Sequence, residues 1–144
     1  MEEKSIGFEI KSLNNLIARK IMKDAKLDSG INITHVQVKI LHYLFNHQDH
    51  PVYQRDIEKE LSIRRSTVSG IIKTMEKNNF IERVTSKEDA RLKQIVISEN
   101  IKKFTSSFKQ KADQFDQLLS KDIPKEELEI FFKAVNQMKQ NISI

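Results

Sequence analysis

The chain has 144 residues, with 25 Lys and Arg against 20 Asp and Glu, and no cysteine. A formal net charge of +5 weakly favours a polyanionic partner. The lack of cysteine excludes disulfides, thiolate metal sites and thiol redox switches. A chain of this length suits one domain or two intimately packed lobes, and can bury roughly 70% of its unfolded surface without cross-links. No apolar run approaches the ~18–20 residues of a membrane span, and the N-terminus lacks a signal peptide's apolar core, so a cytoplasmic location is expected. Only 3 Gly and 2 Pro, with abundant Lys, Glu, Leu and Ile, point to a mostly helical chain.

Residues 5 to about 26 carry a helical stripe of Ile6, Ile10, Leu13, Leu16, Ile17 and Ile21, opposite Lys11, Asn15, Arg19 and Lys23. Asp28, Ser29 and Gly30 should end this helix. Thr34 and Gln37 fit a capping box that opens a second helix, with Val38, Leu41, Leu44 and Phe45 as core candidates. Residues 46–51 form a polar loop that Pro51 closes, and a helix restarts near Tyr53 or Gln54.

Residues 54–98 read as two short helices, a turn at Ser62 and Ile63, and a ribbon with a charged tip. Ile57, Leu61, Ile63, Val68, Ile72 and Met75 should be buried. Arg64, Arg65, Ser66, Thr67, Ser69, Gly70 and Lys73 should form the exposed face of the second helix, which Asn78 and Asn79 stop. The ribbon runs from Ile81, through a polar tip at 85–92, to the β-branched Ile95, Val96 and Ile97. A helix-turn-helix followed by a basic hairpin suggests a winged module that reads duplex DNA.

Ser98 should cap a long helix over about 99–121, carrying Ile101, Phe104, Phe108, Ala112, Phe115, Leu118 and Leu119. A last helix follows Pro124, a residue favoured in a first turn, with a stripe of Leu128, Phe131, Phe132, Val135, Met138 and Ile142. The fold class expected is mostly α with a small β-wing: a winged helix-turn-helix lobe at 33–98, and terminal helices at 1–32 and 99–144 forming a dimerisation lobe. One chain offers few surfaces to cover these apolar stripes, so a symmetric homodimer is expected; the alternative is a monomeric bundle packed on the module.

Stretches of this chain resemble the MarR family of winged-helix transcription regulators. They are Asp56-Ile57-Glu58-Lys59-Glu60-Leu61, then Ser66-Thr67-Val68-Ser69, then Asn79-Phe80-Ile81-Glu82-Arg83, then Asp89-Ala90-Arg91, ending at Ile97-Ser98. The Asp-x-Arg of the wing is the most specific part. The chain departs from the pattern at four places. Tyr53 stands where a Ser or Thr cap is common, Asn79 where a glycine is common, and Arg64 and Arg65 where small polar residues are common; Gly70 falls within the recognition helix.

The resemblance implies that this helix enters the major groove and the wing tip reaches the adjacent minor groove. Ser66, Thr67 and Ser69 are short enough to let the helix lie deep, their hydroxyls can bond base edges, and Gly70 would permit close approach. Arg64, Arg65 and Lys73 supply charge, and the helix N-terminus favours a phosphate. Arg91 suits a narrow minor groove. Asp89 repels phosphate, so its expected role is to hold the wing loop and Arg91 by hydrogen bonds. The plainer readings are a solvated helix face and a surface ion pair of about 0–1 kcal/mol. Lys87 and Lys93 would contact phosphates or nothing.

By the same resemblance, a small aromatic or anionic effector would bind between the dimer helices and the winged lobe, near Leu13, Ile17, His35, Gln37 and Tyr43. Read from the residues alone, each of these is a packing residue. His47-x-x-His50 beside Asp49 could bind a metal weakly, but reads better as an ordinary polar loop, so neither metal nor cofactor is expected. No Gly-rich phosphate loop, H-E-x-x-H or serine-nucleophile motif is present, so no enzyme is expected. The function expected is a homodimeric repressor on a pseudo-palindromic operator. The alternatives are a winged-helix module for a protein partner, or a metal-responsive regulator of the same fold.

Overall fold

Apolar side chains at helical spacing, punctuated by few glycines and prolines, produce helices α1 (Ile6–Ser29), α2 (His35–Asn46), α3 (Gln54–Leu61) and α4 (Arg65–Lys77). The antiparallel strands β1 (Ile81–Thr85) and β2 (Lys93–Ile97) follow. A 3-10 turn at Glu99–Ile101 leads to α5 (Lys102–Thr105), α6 (Phe108–Ser120) and α7 (Lys125–Ile142). The structure is a computed structural model that describes residues 4–29 and 31–143, with all their side chains except those of 26–29. The glycine stop expected at Gly30 lies outside the described residues; α1 itself continues to Ser29.

Two units divide the chain, one through Phe108 and one from Lys109. The first is built around a core in which Ile40, Leu41, Ile57, Val68, Ile72, Met75 and Ile81 are fully buried. Leu61 and Ile63 pack against it from the edge. In α2 the expected core shifts by part of a turn. Leu41 and Leu44 are buried as anticipated, but Ile40 and Gln37 fill the face where Val38 and Phe45 lie only half inside. Phe45 instead meets the Phe108 ring edge-on, with centroids 5.8 Å apart.

Local signals place the ends of the elements. Thr34 and Gln37 close a capping box: the Gln37 N–H donates to Thr34 Oγ1 (3.3 Å), and the Thr34 N–H donates to Gln37 Oε1 (3.0 Å). At α3 the Asp56 carboxylate accepts from the Tyr53 N–H at 2.8 Å. That bond caps the backbone and leaves the tyrosine side chain for another use. Ser62 (φ 53°) turns the chain between α3 and α4, and Asn79 (φ 60°) turns it after α4. Both are small polar residues that tolerate the left-handed region better than a branched side chain would.

The ribbon pairs Ile81 with Ile97 and Thr85 with Lys93. Thr85 and Lys93 therefore belong to the strands, and the loop is one residue shorter than the polar run. The other edge of β2 is also held, since the Ile95 N–H donates to the Val52 carbonyl at 2.8 Å. The segment ahead of α3 is thus stitched to the wing.

The long helix expected over 99–121 is broken. Ser98 makes no side-chain cap bond. Its N–H closes the ribbon base on the Phe80 carbonyl (3.0 Å). At the end of α5, the Thr105 hydroxyl donates to the Lys102 carbonyl and the Ser106 hydroxyl to the Lys103 carbonyl (3.1 and 2.7 Å). Hydroxyls that bond the backbone in this way slightly destabilise and bend a helix; here the helix stops after Thr105 and restarts at Phe108.

In the second unit, Asp122 (φ 61°) makes the turn between α6 and α7. Pro124 lies just ahead of the first helical residue, its carbonyl accepting from the Glu127 and Leu128 N–H groups at 3.0 and 3.2 Å. No described residue of α7 is buried: Phe131, Phe132 and Ile142 are 50, 62 and 78% exposed.

Candidate nucleic-acid interface

Three elements of the first unit present one polar surface: the N-terminus of α3, the outer face of α4 and the ribbon tip. Val68, Ile72 and Met75 anchor α4 by its inner face. Helical geometry then turns Arg64, Arg65, Ser66, Thr67, Gly70 and Lys73 outward, and all six are exposed. Arg64, at the N-cap position, makes no side-chain cap bond. The first N–H groups of α4 therefore remain available to an anion, in a positive field set by the helix dipole and two guanidinium groups.

Ser69 departs from the expected exposed face. It is half-buried, and its Oγ accepts from Gln54 Nε2 at 2.9 Å. Accepting this bond ties α4 to α3 and still leaves the hydroxyl its own proton to donate. A Cβ added at Gly70 would meet nothing within 4 Å. The protein itself thus leaves room for a side chain there.

Asp89 holds the ribbon tip. Its Oδ1 accepts from the Arg91 N–H (3.0 Å) and from Arg91 Nε (3.1 Å), while its Oδ2 accepts from Nη2 (3.0 Å). The Arg91 hydrogen bonds keep the Asp89 carboxyl below the usual carboxylate range. The Arg91 side chain is nonetheless 90% exposed. The forked geometry orients the guanidinium without withdrawing it from solvent. Lys87 is exposed, and Lys93 Nζ donates to Thr85 Oγ1 at 3.1 Å. The tip is not wholly projecting: Ser86, at its root, is 3% exposed.

Between α4 and the ribbon lies an open cleft of about 520 Å³. Its lining includes five cations (Arg55, Arg65, Arg83, Arg91 and Lys93) against the single carboxylate of Glu58. Arg65 and Ser69 come from the helix wall, Arg91 and Lys93 from the ribbon wall, and Tyr53 and Gln54 lie between. Arg83 is partly neutralised by Glu76 at 3.6 Å. The Arg55 guanidinium stands 5.3 Å from the centre of the Tyr53 ring. The sequence reading missed Tyr53, Gln54, Arg55 and Arg83 as parts of this surface. The usable signal was Tyr53, an aromatic residue at a capping position where its side chain cannot cap.

Of the five residues expected near an effector, two have a local partner in the structure. Gln37 is the capping residue of α2. Tyr43 packs on His47, ring centroids 4.1 Å apart, and burial together with Asp56 and Glu60 raises its phenol above the ordinary range. His35 is half-buried, and burial, with Lys39 nearby, lowers its pKa. Leu13 is exposed and Ile17 half-buried on α1. His47 Nδ1 lies 2.8 Å from the Tyr43 carbonyl and His50 Nδ1 lies 3.1 Å from the Pro51 carbonyl. Among the described residues no group of three or more His, Asp or Glu is arranged to hold a metal ion.

A helix-turn-helix whose second helix is followed by a stapled two-stranded ribbon is a winged helix-turn-helix protein. Residues 33–93, which hold the winged lobe, match the MarR family model. Its fold is similar to that of the transcription regulator MarR from Oenococcus oeni PSU-1. The TM-score is 0.82 at 25% identity, over 94% of this chain and 99% of that one. It is also similar to MepR of S. aureus in a complex with DNA, with a TM-score of 0.83 at 24% identity over 98% and 100% of the two chains. A more distant likeness is the heme sensor PefR from Streptococcus agalactiae, crystallised with heme, at 0.62 and 25% identity over 99% and 97%. No curated protein matches by sequence. Among the described residues, no helix is long and apolar enough to cross a membrane.

Proposed function

We propose that this protein is a homodimeric, sequence-specific DNA-binding transcription repressor that occupies a pseudo-palindromic operator. The observation that carries the reading is the cleft with five cations and one carboxylate between an exposed helix face and an exposed arginine. A helix about 10–12 Å across can enter a major groove. The Arg91 guanidinium would then reach the neighbouring minor groove, with the intervening phosphates facing the cleft. Arg64, Arg65, Ser66, Thr67, Gly70 and Lys73 form the major-groove face; Lys87 and Arg91 serve the wing, and Asp89 and Ser69 hold the contacting elements in place.

The homodimer rests on the terminal helices. Among the described residues, every large apolar side chain left exposed, Val84 apart, falls within 6–16 or 118–142. Exposed apolar side chains in such number support a protein interface, and a two-fold dimer would match a two-fold operator.

The test is selection of bound sequences from random duplex DNA, followed by titration of the selected site. A palindromic consensus is expected, with a log–log salt slope of about −0.9 per phosphate neutralised. Arg91→Ala should weaken the selected site by about 1–3 kcal/mol with the fold intact. A flat salt response or the absence of any consensus would overturn the reading.

A further inference from the structure

Three consecutive residues ahead of and opening α3 each bind a different element of the DNA-facing surface. The Val52 carbonyl accepts from the Ile95 N–H of β2 at 2.8 Å. The Tyr53 hydroxyl shares a 2.7 Å hydrogen bond with Ser86 Oγ at the root of the wing loop. Gln54 Nε2 donates to Ser69 Oγ on the recognition helix at 2.9 Å. The side chains of Tyr53 and Gln54 thus reach to opposite walls of the same cleft, and both residues lie along its lining.

Neither bond is needed to close a secondary structure. The α3 N-terminus is capped by Asp56, and the ribbon pairs through its own backbone. Ser86 is itself held in place: its backbone N–H donates to the Leu92 carbonyl (3.0 Å), and its Oγ accepts from the Glu88 N–H (3.2 Å). Ser86 is buried, so the bond to Tyr53 is shielded from competing water. The loop it anchors is the one that carries Asp89 and Arg91.

We propose that Tyr53 and Gln54 act together as a gauge, fixing the separation between recognition helix and wing so that Ser66–Thr67 and Arg91 meet adjacent grooves of one duplex. The inference rests on the DNA-binding reading and deepens it. The two residues are positioning residues. A single 2.7 Å bond from the tyrosine sets the wing wall, and the glutamine amide sets the helix wall. Arg91 without the gauge would keep its charge and its Asp89 clamp but lose its register against the major-groove contacts.

The test is Tyr53→Phe, which removes one oxygen and keeps the ring beneath Arg55. Affinity for the selected duplex is measured in the parent and in an Arg91→Ala background, together with amide exchange of the DNA-free protein. Tyr53→Phe should weaken binding about 3–10-fold in the parent, the worth of one hydrogen bond. It should have no effect once Arg91 is gone, because there is then no wing contact to misplace. The Ser86 and Leu92 amides should exchange faster, with α3 and α4 unchanged. An equal loss in both backgrounds would assign the tyrosine to general stability and overturn the gauge. So would unchanged affinity, or unchanged exchange in the wing loop. A parent that binds no duplex would sink the DNA reading itself; that failure is distinguishable, because the exchange measurement needs no DNA.

Discussion

The helix-turn-helix core and the terminal helices are made of similar residues and meet opposite fates. Ile57, Val68, Ile72 and Met75 are completely enclosed within one chain. Ile6, Phe8, Ile10, Leu13 and Leu16 on α1, and Ile130, Phe131, Phe132 and Ile142 on α7, stand about half or more exposed. An amphipathic stripe is a demand for burial that does not say what will meet it. In the winged lobe short helices, a tight turn and a ribbon fold back on one another, and the demand is met locally. At the chain ends it is met, on the proposed reading, only by a second copy.

The contrast can be broken most severely in the enclosed core. Ile72→Ala should destabilise the first unit by about 2–5 kcal/mol, a large share of a domain's typical stability. Chemical denaturation measures it; a loss below about 1 kcal/mol would mean the lobe is loosely packed. Phe132→Glu should leave the denaturation of the winged lobe nearly unaltered and weaken self-association by about 2 kcal/mol, roughly 30-fold. Sedimentation equilibrium reads the effect, and an unchanged association constant would remove α7 from the interface.

Gly70→Ala sharpens the comparison within the core lobe by setting stability against binding. The added methyl meets nothing in the free protein, and alanine favours the helix, so stability should rise by about 0.5–1 kcal/mol. Duplex affinity should fall if the helix backbone approaches DNA at that point. A variant that gains stability with full affinity would place the contact surface elsewhere on α4.

The smallest effect is expected at His35. Burial, then Lys39, lowers its pKa from 6.5, and its Nε2 is buried without a hydrogen-bond partner among the described residues. Above that value folded and unfolded forms are both neutral there. Below it the unfolded chain takes up a proton that the folded chain resists, so stability falls with acidification. The denaturation midpoint should drop slightly between pH 7 and 5.5, and His35→Gln should flatten that part of the profile. Asp89 behaves differently: its pKa is lowered, so its hold on Arg91 should persist across this range and weaken only in stronger acid.

Much of the winged lobe could be read from residues a few positions apart. The Thr34–Gln37 box, the α3–turn–α4 spacing, the Asn79 turn and the Asp89–Arg91 pair are all local chemistry, and local chemistry is what a sequence displays. The failures were of two kinds. The long helix after Ser98 is interrupted between Thr105 and Phe108, a break that the apolar stripe running past it conceals. Ser69 was placed on the open face because periodicity alone cannot see Gln54 approaching from another helix.

The sequence by itself therefore determined the order of helices and ribbon, the inner and outer faces of α4, and the clamp within the wing tip. Spacing and capping act over one or two turns of chain. Tertiary structure alone decided the distance between the wing and the recognition helix. Tyr53 and Ser86 are 33 positions apart, and Gln54 and Ser69 are 15 apart. A hydrogen bond between such residues exists only after the core has brought their elements together, because side-chain reach is a few ångströms and nothing in the intervening sequence encodes that approach.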